Sequence, residues 1–155
     1  MQNYNFVRLL RRATFFWLLF IPVIIINGFV RDLVYKPYTG DFTAHQISTV
    51  TAGAAFFLLA CFFFRKHLAG STLPQLFGIG SFWVLLTFLF ETVAGHYLFG
   101  TSWERIFQDY DLASGHLWPL FLLLELLTLY GVSVTNGYHL QRTSATEKFD
   151  HNASI

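Results

Sequence analysis

Long apolar runs alternate with short polar connections along most of this chain. A helix rises roughly 1.5 Å per residue and needs about 20 residues to cross about 30 Å of hydrocarbon. Lipid offers the backbone no hydrogen-bond partner, so apolar runs of this length are expected to be helices. The pattern therefore predicts an all-α, four-helix transmembrane bundle over residues 1–135, with spans at 14–30, 47–64, 76–95 and 117–134.

The basic residues predict the orientation of this bundle. Of the ten Lys and Arg residues, seven precede the first span, follow the second span or lie in the C-terminal tail, and three lie in the other two connections. By the positive-inside rule, both termini are cytoplasmic and the two longer connections face outward. The tail, residues 136–155, is polar without apolar periodicity, which predicts a disordered cytoplasmic segment.

The second outward connection contains the pattern of a short amphipathic helix. Thr101 and Glu104 have the spacing of a capping box. After them, aromatic and aliphatic residues from Trp103 to Tyr110 recur at helical spacing, with charged residues on the opposite face. This pattern predicts an interfacial helix, and a lid over the bundle is the alternative. A similar capping box, Thr43 to Gln46, is predicted to open the second spanning helix.

Composition supports a membrane protein and excludes several classes. Hydrophobic residues make up 54% of the chain and charged residues 12%, against about 25% charged in soluble domains. The single cysteine, Cys61, excludes an internal disulfide. The net charge of +1 gives no reason to expect a nucleic-acid partner, and no nucleotide-binding or hydrolase motif is present. The 19 phenylalanines exceed what one small core can hold, so many should face lipid or a partner subunit.

Polar residues at the outer ends of the spans predict a common site. Glu91 shares a helical stripe with Gly80, Trp83 and Thr87, and it should face the bundle because lipid contact would be costly. Other polar residues lie at similar depth on the neighbouring spans and connections. The predicted site comprises Asn27, Arg31, His45, Glu91, His96, Asp109 and His116.

Two roles for this site remain open at the sequence level. Arg31 and Glu91 can form an ion pair that holds helices together, or the cluster can bind an anionic lipid or a small ligand. Paired outer histidines such as His45 and His116 also suit haem or a metal. Such histidines more often cap or anchor interfaces, so no metal or cofactor is predicted.

Glu125 is a separate candidate, close to the middle of the fourth span. No Lys or Arg is predicted at that depth, so the carboxyl is expected to be neutral. It suits a proton relay, a hydrogen bond to a partner helix, or a bond to a backbone carbonyl such as the one freed by Pro22.

Several short motifs on the outer side resemble those of small four-span bacterial membrane proteins of no known activity. The resemblance covers about residues 20 to 120. It implies the fold and a bacterial inner membrane, and it implies no mechanism. The motifs are Asn27–Asp32, Ala44–Ser48, Phe90–Glu91, Gly95–His96, Gly100–Trp103, Asp109–Tyr110 and Trp118–Pro119.

Three functions are compatible with these features. The favoured one is a non-enzymatic binding or accessory protein whose outward site engages a lipid head group, a small ligand or a partner subunit, with homo-oligomers included. The second is a membrane enzyme that uses His45 or His96 beside Glu91 on a lipid-linked substrate. The third is a proton-coupled carrier with Glu125 as the relay.

Overall fold

All regular structure in the described part of the chain is helical. The computed structural model of the protein describes residues 2–137, with side chains from Phe6 onward, so the predicted tail beyond residue 137 lies outside it. A π-helix, Arg31–Tyr35, joins the first two α-helices, and a short 3₁₀ turn, Leu112–Ser114, precedes the last. The α-helices are α1 (Gln2–Val30), α2 (Lys36–Phe64), α3 (Leu73–Tyr97), α4 (Trp103–Gln108) and α5 (Trp118–Thr135).

Three helical stretches are long and apolar enough to cross a membrane. They are Phe6–Phe64, Leu73–Tyr97 and Trp118–Thr135. Their length and composition agree with the predicted integral membrane protein. The first stretch has 59 residues, far more than one crossing needs, and it contains both of the first two predicted spans.

The long first stretch reverses direction at Gly40. This glycine has φ 77° and ψ 167°, a conformation that a residue with a Cβ rarely adopts. On either side of it, Asn27 on α1 donates a hydrogen bond to the Ser48 carbonyl on α2, and the Phe16 ring contacts Phe56. The two arms are therefore antiparallel. The connection between the first two predicted spans is mostly helical, and the reversal occupies a single residue.

The four long helices form a closed ring of neighbours. Trp17 on α1 contacts Thr87 on α3, and Phe56 on α2 contacts Phe121 on α5. α3 and α5 are antiparallel and approach so closely that a Cβ on Gly80 would overlap the backbone of Leu126. Small residues permit this kind of close helix contact in membrane proteins.

One end of the bundle is filled by an aromatic core, which consists of Phe16, Phe56, Phe64 and Trp83. Trp83 is 0% exposed, and its ring centroid lies 5.2 to 5.7 Å from those of the three phenylalanines. Its indole N–H donates to the Ala13 carbonyl over 2.9 Å. The predicted inward stripe of α3 is confirmed at Trp83 and Thr87, which are both buried.

The short helix α4 forms where the sequence predicted one, but the predicted caps differ. Ser102, not Thr101, is the N-cap residue, and its hydroxyl accepts a hydrogen bond from the Arg105 amide. The capping box at Thr43 is wrong, because Thr43 lies inside α2. Gln46 instead donates to the Gly115 carbonyl and accepts from the Leu117 amide, so it ties α2 to the segment before α5.

Candidate functional site

A cavity of about 580 Å³ occupies the end of the bundle opposite the aromatic core. We call this the cavity end. All four long helices and α4 contribute residues to its wall. Five of the seven predicted site residues line it, namely Asn27, Arg31, His45, Glu91 and Asp109. Five of the predicted residues therefore border one space, although several of their side chains have other partners than expected.

Arg31 does not pair with Glu91, which corrects the expected ion pair. Its guanidinium Nε lies 2.9 Å from the Asp32 carboxylate, and its Nη1 lies 3.5 Å from His45 Nδ1. No ion pair between Arg31 and Glu91 forms among the described residues. The positive charge at this side of the cavity is thus already balanced by an adjacent carboxylate.

Asp41 joins two cations at the cavity wall, an arrangement that sequence analysis missed. Lys36 Nζ lies 2.9 Å from one carboxylate oxygen, and Arg105 of α4 donates to the other. Asp41 follows the reversal at Gly40 directly. This ion-pair cluster therefore ties α4 to the turn between α1 and α2.

Asp109 lies between two histidine rings. Its Oδ1 is 3.8 Å from His45 Nε2 and 3.4 Å from His116 Nδ1. None of these three atoms has a hydrogen-bond partner of good geometry among the described residues, although all three are buried. His116 contacts the site through Asp109 and does not line the cavity.

Glu91 faces the cavity without a partner. Within the described part of the chain, its carboxyl makes no hydrogen bond and no ion pair, and it borders the open space. Asn27 differs in this respect, because it donates to the Ser48 carbonyl and accepts from the Thr51 hydroxyl. Asn27 thus holds α1 against α2, whereas the Glu91 carboxyl makes no such contact with the described residues.

His96 is not part of the cavity wall, contrary to the prediction. Its ring stacks on Trp103 with centroids 4.2 Å apart, and its Nδ1 lies 2.9 Å from the Thr101 carbonyl oxygen. These contacts fix the connection between α3 and α4. They leave His96 outside the set of residues that surrounds the cavity.

Two groups in the segment between α4 and α5, Tyr110 and Asp111, have shifted pKa values. Burial raises the pKa of Tyr110 to about 12, although the Trp118 indole opposes the shift. Neither the Tyr110 hydroxyl nor the Trp118 Nε1 has a hydrogen-bond partner of good geometry in the described residues. Hydrogen bonds from Ser114 and Ala113 lower the pKa of Asp111, which caps the 3₁₀ turn.

Glu125 lies deeper in the bundle, fully enclosed. Its Oε1 accepts a hydrogen bond of 2.8 Å from the Thr87 hydroxyl, which in turn accepts from Trp17 Nε1 over 2.9 Å. Its Oε2 has no partner among the described residues. The structure thus gives Glu125 a hydroxyl partner on α3, not a backbone carbonyl near Pro22.

The rim of the cavity includes two exposed aromatic side chains. Phe29 on α1 and Phe99, which follows α3, are 61% and 63% exposed, and both border the cavity. The direct contacts between α1 and α3 involve Trp17 and Phe90 or residues nearer the aromatic core. The cavity is therefore lined by both polar and apolar side chains, and two aromatic rings at its rim are exposed.

Within residues 2–137, no group of three His, Cys, Asp or Glu side chains has an arrangement that suits a metal ion. No family model, curated protein or solved structure matches this chain.

Proposed function

We propose that the protein is a four-span integral membrane protein that binds a phospholipid-type amphiphile in its cavity. The observation that carries this proposal is the combination of an unpaired carboxyl, Glu91, inside the cavity with two exposed aromatic rings, Phe29 and Phe99, at its rim. A polar head group would enter the cavity, and the acyl chains would remain outside it. In this proposal the protein binds the amphiphile and catalyses no reaction on it.

The four-span arrangement rests on the hairpin within the first long stretch. Residues Phe6–Phe64 exceed the length of one crossing, and their two arms are antiparallel around Gly40. Each arm would then cross once, as α3 and α5 would. Combined with the asymmetry of Lys and Arg, this gives cytoplasmic termini and an outward cavity, with α4 at the outer membrane surface. The membrane is the bacterial inner membrane that the motif resemblance implies.

The rim supports an amphiphile over a water-soluble ligand. Phe29 and Phe99 would lie between α1 and α3 at the side of the cavity, where acyl chains are the natural contact of exposed rings in a membrane protein. A soluble ligand would gain little from these two side chains. An amphiphile would bury its head group and still keep its chains in lipid.

The charges in the cavity favour a head group with both a phosphate and a hydrogen-bond donor. Arg31, Lys36 and Arg105 line the wall and can contact a phosphate, although each already has a carboxylate partner. Glu91 has none, so an ammonium or hydroxyl group of the ligand would satisfy it. Ethanolamine and glycerol head groups offer such donors, whereas the trimethylated amine of choline does not.

Thermal stability in detergent with added lipid tests this proposal. Phosphatidylethanolamine and phosphatidylglycerol should raise the unfolding midpoint, and phosphatidylcholine should have little effect. The same phosphorylated head groups without acyl chains should not stabilise, because they cannot use the two exposed aromatic rings at the rim. Native mass spectrometry should detect one bound lipid per chain in the stabilising cases.

Two matched variants separate the cavity from the general surface. Glu91→Leu should lose the stabilisation by ethanolamine and glycerol lipids. Glu104→Leu, which removes an exposed carboxyl from α4, should keep it. Equal stabilisation by phosphatidylcholine, or equal loss in both variants, would overturn the proposed site.

A second candidate function is catalysis on a lipid-linked substrate. One observation favours it: His45 lines the cavity, and its Nε2 faces the carboxylate of Asp109. The ring of His116 lies beside the same carboxylate. A carboxylate beside an imidazole orients the ring. This candidate predicts that purified protein turns over a bound lipid and that His45→Gln abolishes turnover while lipid binding persists.

A further inference from the structure

A water-sized void lies between the large cavity and Glu125. Its volume is about 20 Å³, and a cavity needs about 10 to 15 Å³ to hold one water molecule. Glu91 and Glu125 both line this void, together with Thr87, Trp17 and Trp118. Glu91 and Trp118 also line the large cavity, so the two spaces meet at these side chains.

Two carboxyl groups at the void, those of Glu125 and Glu91, have oxygens without a hydrogen-bond partner in the described residues. Glu125 is 1% exposed, and its Oε2 has no hydrogen-bond partner in the described residues. Trp118 Nε1 is buried and interacts with the Tyr110 hydroxyl, without good hydrogen-bond geometry. Glu91 makes no hydrogen bond within the described part of the chain. A buried water in proteins typically makes about three hydrogen bonds, and the Glu125 and Glu91 carboxyls can provide two of them.

We propose that one water in this void bridges Glu125 and Glu91, so that Glu125 exchanges protons with the large cavity. In the exchange, the Glu125 Oε2–H bond breaks and its proton passes to the water oxygen. The water transfers another of its protons to the ionised Glu91 carboxylate. Glu125 is left ionised and Glu91 protonated, and Glu91 then releases its proton to solvent in the large cavity. The reverse sequence returns a proton to Glu125.

The path has access from one side. The other oxygen of Glu125 accepts from the Thr87 hydroxyl, which accepts from the Trp17 indole. An indole N–H donates and cannot accept a proton, so this chain ends at Trp17. Beyond it the aromatic core fills the bundle, with Phe16, Phe56 and Trp83 all buried. Glu125 is therefore connected to the cavity end and closed off from the opposite end.

The groups that face Glu125 do not favour a lasting negative charge. No cationic side chain lines the void in the described residues, and the other titratable group nearby is Tyr110, which interacts with both Glu91 and Glu125. Ionised Glu125 would lack a positive partner, so its ionised form is transient. The inference is thus proton exchange with one face of the membrane and not a continuous proton channel across it.

Infrared spectroscopy of the purified full-length protein tests the inference. Protonated Glu125 should give a carboxyl C=O band that disappears in Glu125→Gln. On transfer to D₂O, this band should shift with a fast phase in the wild type. Glu91→Gln should lose the fast phase, whereas Glu91→Asp, which retains a carboxyl, and the surface control Glu104→Gln should keep it.

Two results of this experiment would contradict the inference. A Glu125 band that does not exchange in the wild type would overturn the inference, even if Glu91→Gln fails to fold. A fast phase of equal size in correctly folded Glu91→Gln would overturn it as well. The readout does not depend on lipid, so failure of the lipid-binding proposal would leave these results interpretable.

Discussion

The two ends of the bundle satisfy their polar groups in different ways. At the aromatic core, the Trp83 indole has a backbone acceptor and its ring touches three buried phenylalanines. At the cavity end, Trp118 stacks on Phe121 with centroids 4.9 Å apart, but its indole N–H has no hydrogen-bond partner of good geometry among the described residues. The first end is complete without a ligand. The second contains buried polar atoms without hydrogen-bond partners in the described part of the chain, beside a cavity.

This difference indicates where stability and function reside. Buried polar atoms without hydrogen-bond partners lower the stability of the fold. They are therefore expected mainly where they serve a function, such as ligand binding or proton transfer. His45, Asp109 and Glu125 each have such an atom, and all three lie at the cavity end or between it and the middle of the bundle. We therefore expect changes at the aromatic core to affect folding most and changes at the cavity end to affect function most.

The largest expected effect comes from truncating Trp83, and truncating Trp118 provides the comparison at the cavity end. Trp83→Ala should lower the free energy of unfolding by about 3 to 5 kcal/mol, because it leaves a hole among fixed aromatic rings. In a membrane protein most of this cost is lost packing rather than transfer from water. Trp118→Ala should cost about 1 kcal/mol, because the space it vacates merges with an existing cavity.

Unfolding in detergent, followed by circular dichroism, compares these two variants directly. Trp83→Ala should show a much lower midpoint than Trp118→Ala. The stabilisation by added lipid should instead decrease more in Trp118→Ala than in Trp83→Ala. Similar midpoints for both variants would mean that the cavity end is packed as tightly as the core, and the comparison would fail.

An intermediate effect is expected at the close contact of α3 and α5. A Cβ on Gly80 would lie about 2.9 Å from the Leu126 Cα and closer still to its carbonyl oxygen, whereas a Cβ on Gly78 would meet nothing within 4 Å. Gly80→Ala should therefore cost about 1 to 3 kcal/mol through forced separation of the helices. Gly78→Ala on the same helix should be neutral or stabilising by up to about 1 kcal/mol.

The same unfolding measurement distinguishes the two glycines. Both substitutions add one methyl group to α3, so the helix propensity gain is shared. If Gly80→Ala were as stable as Gly78→Ala, the close approach of α3 to Leu126 would be wrong, and with it the neighbouring Thr87 to Glu125 contact.

The helical content was predictable because hydrophobic length determines it. Each predicted span falls inside an observed helix apart from one terminal residue, Leu117. The turn between α1 and α2 was not predictable, because Pro37, Gly40 and the polar residues around them read as a loop. Proline is tolerated in the first turn of a helix, where its missing N–H has no acceptor to lose. Such a segment can remain helical up to the single reversing glycine.

The depth of the candidate site residues in the bundle was predictable, but the direction of their side chains was less so. Residue counting along a helix gives the height of Asn27, Glu91 and Asp109, and all three meet at one cavity. It does not give the direction of side chains where a helix ends or changes type. His96 lies in the last turn of α3 and stacks on Trp103, outside the cavity. The pairing of Asp41 with Arg105 was missed because Asp41 lies in the segment predicted to be a loop, where residue counting along a helix does not apply.

Arg31 illustrates the same limit at a change of helix type. Adjacent side chains on an α-helix diverge, so Asp32 was not considered as its partner. Arg31 is instead the first residue of a π-helix, where the hydrogen-bonding pattern and side-chain neighbours differ. The guanidinium and the Asp32 carboxylate form a two-point contact there, at 2.9 and 3.3 Å.

The smallest expected effect is the coupling between Arg31 and Glu91. Because Arg31 pairs with Asp32, the losses in Arg31→Met and Glu91→Gln should add to within about 0.5 kcal/mol in the double variant. Arg31→Met and Asp32→Asn should instead show a coupling of about 0.2 to 1 kcal/mol, as expected for a pair that is partly exposed to solvent. Thermal unfolding of all five variants in lipid-free detergent gives both couplings. A coupling above about 1 kcal/mol between Arg31 and Glu91 would restore the ion pair that the sequence suggested. Glu91 would then have a partner within the protein, and the unpaired carboxyl that makes the cavity receptive to a donor head group would no longer exist.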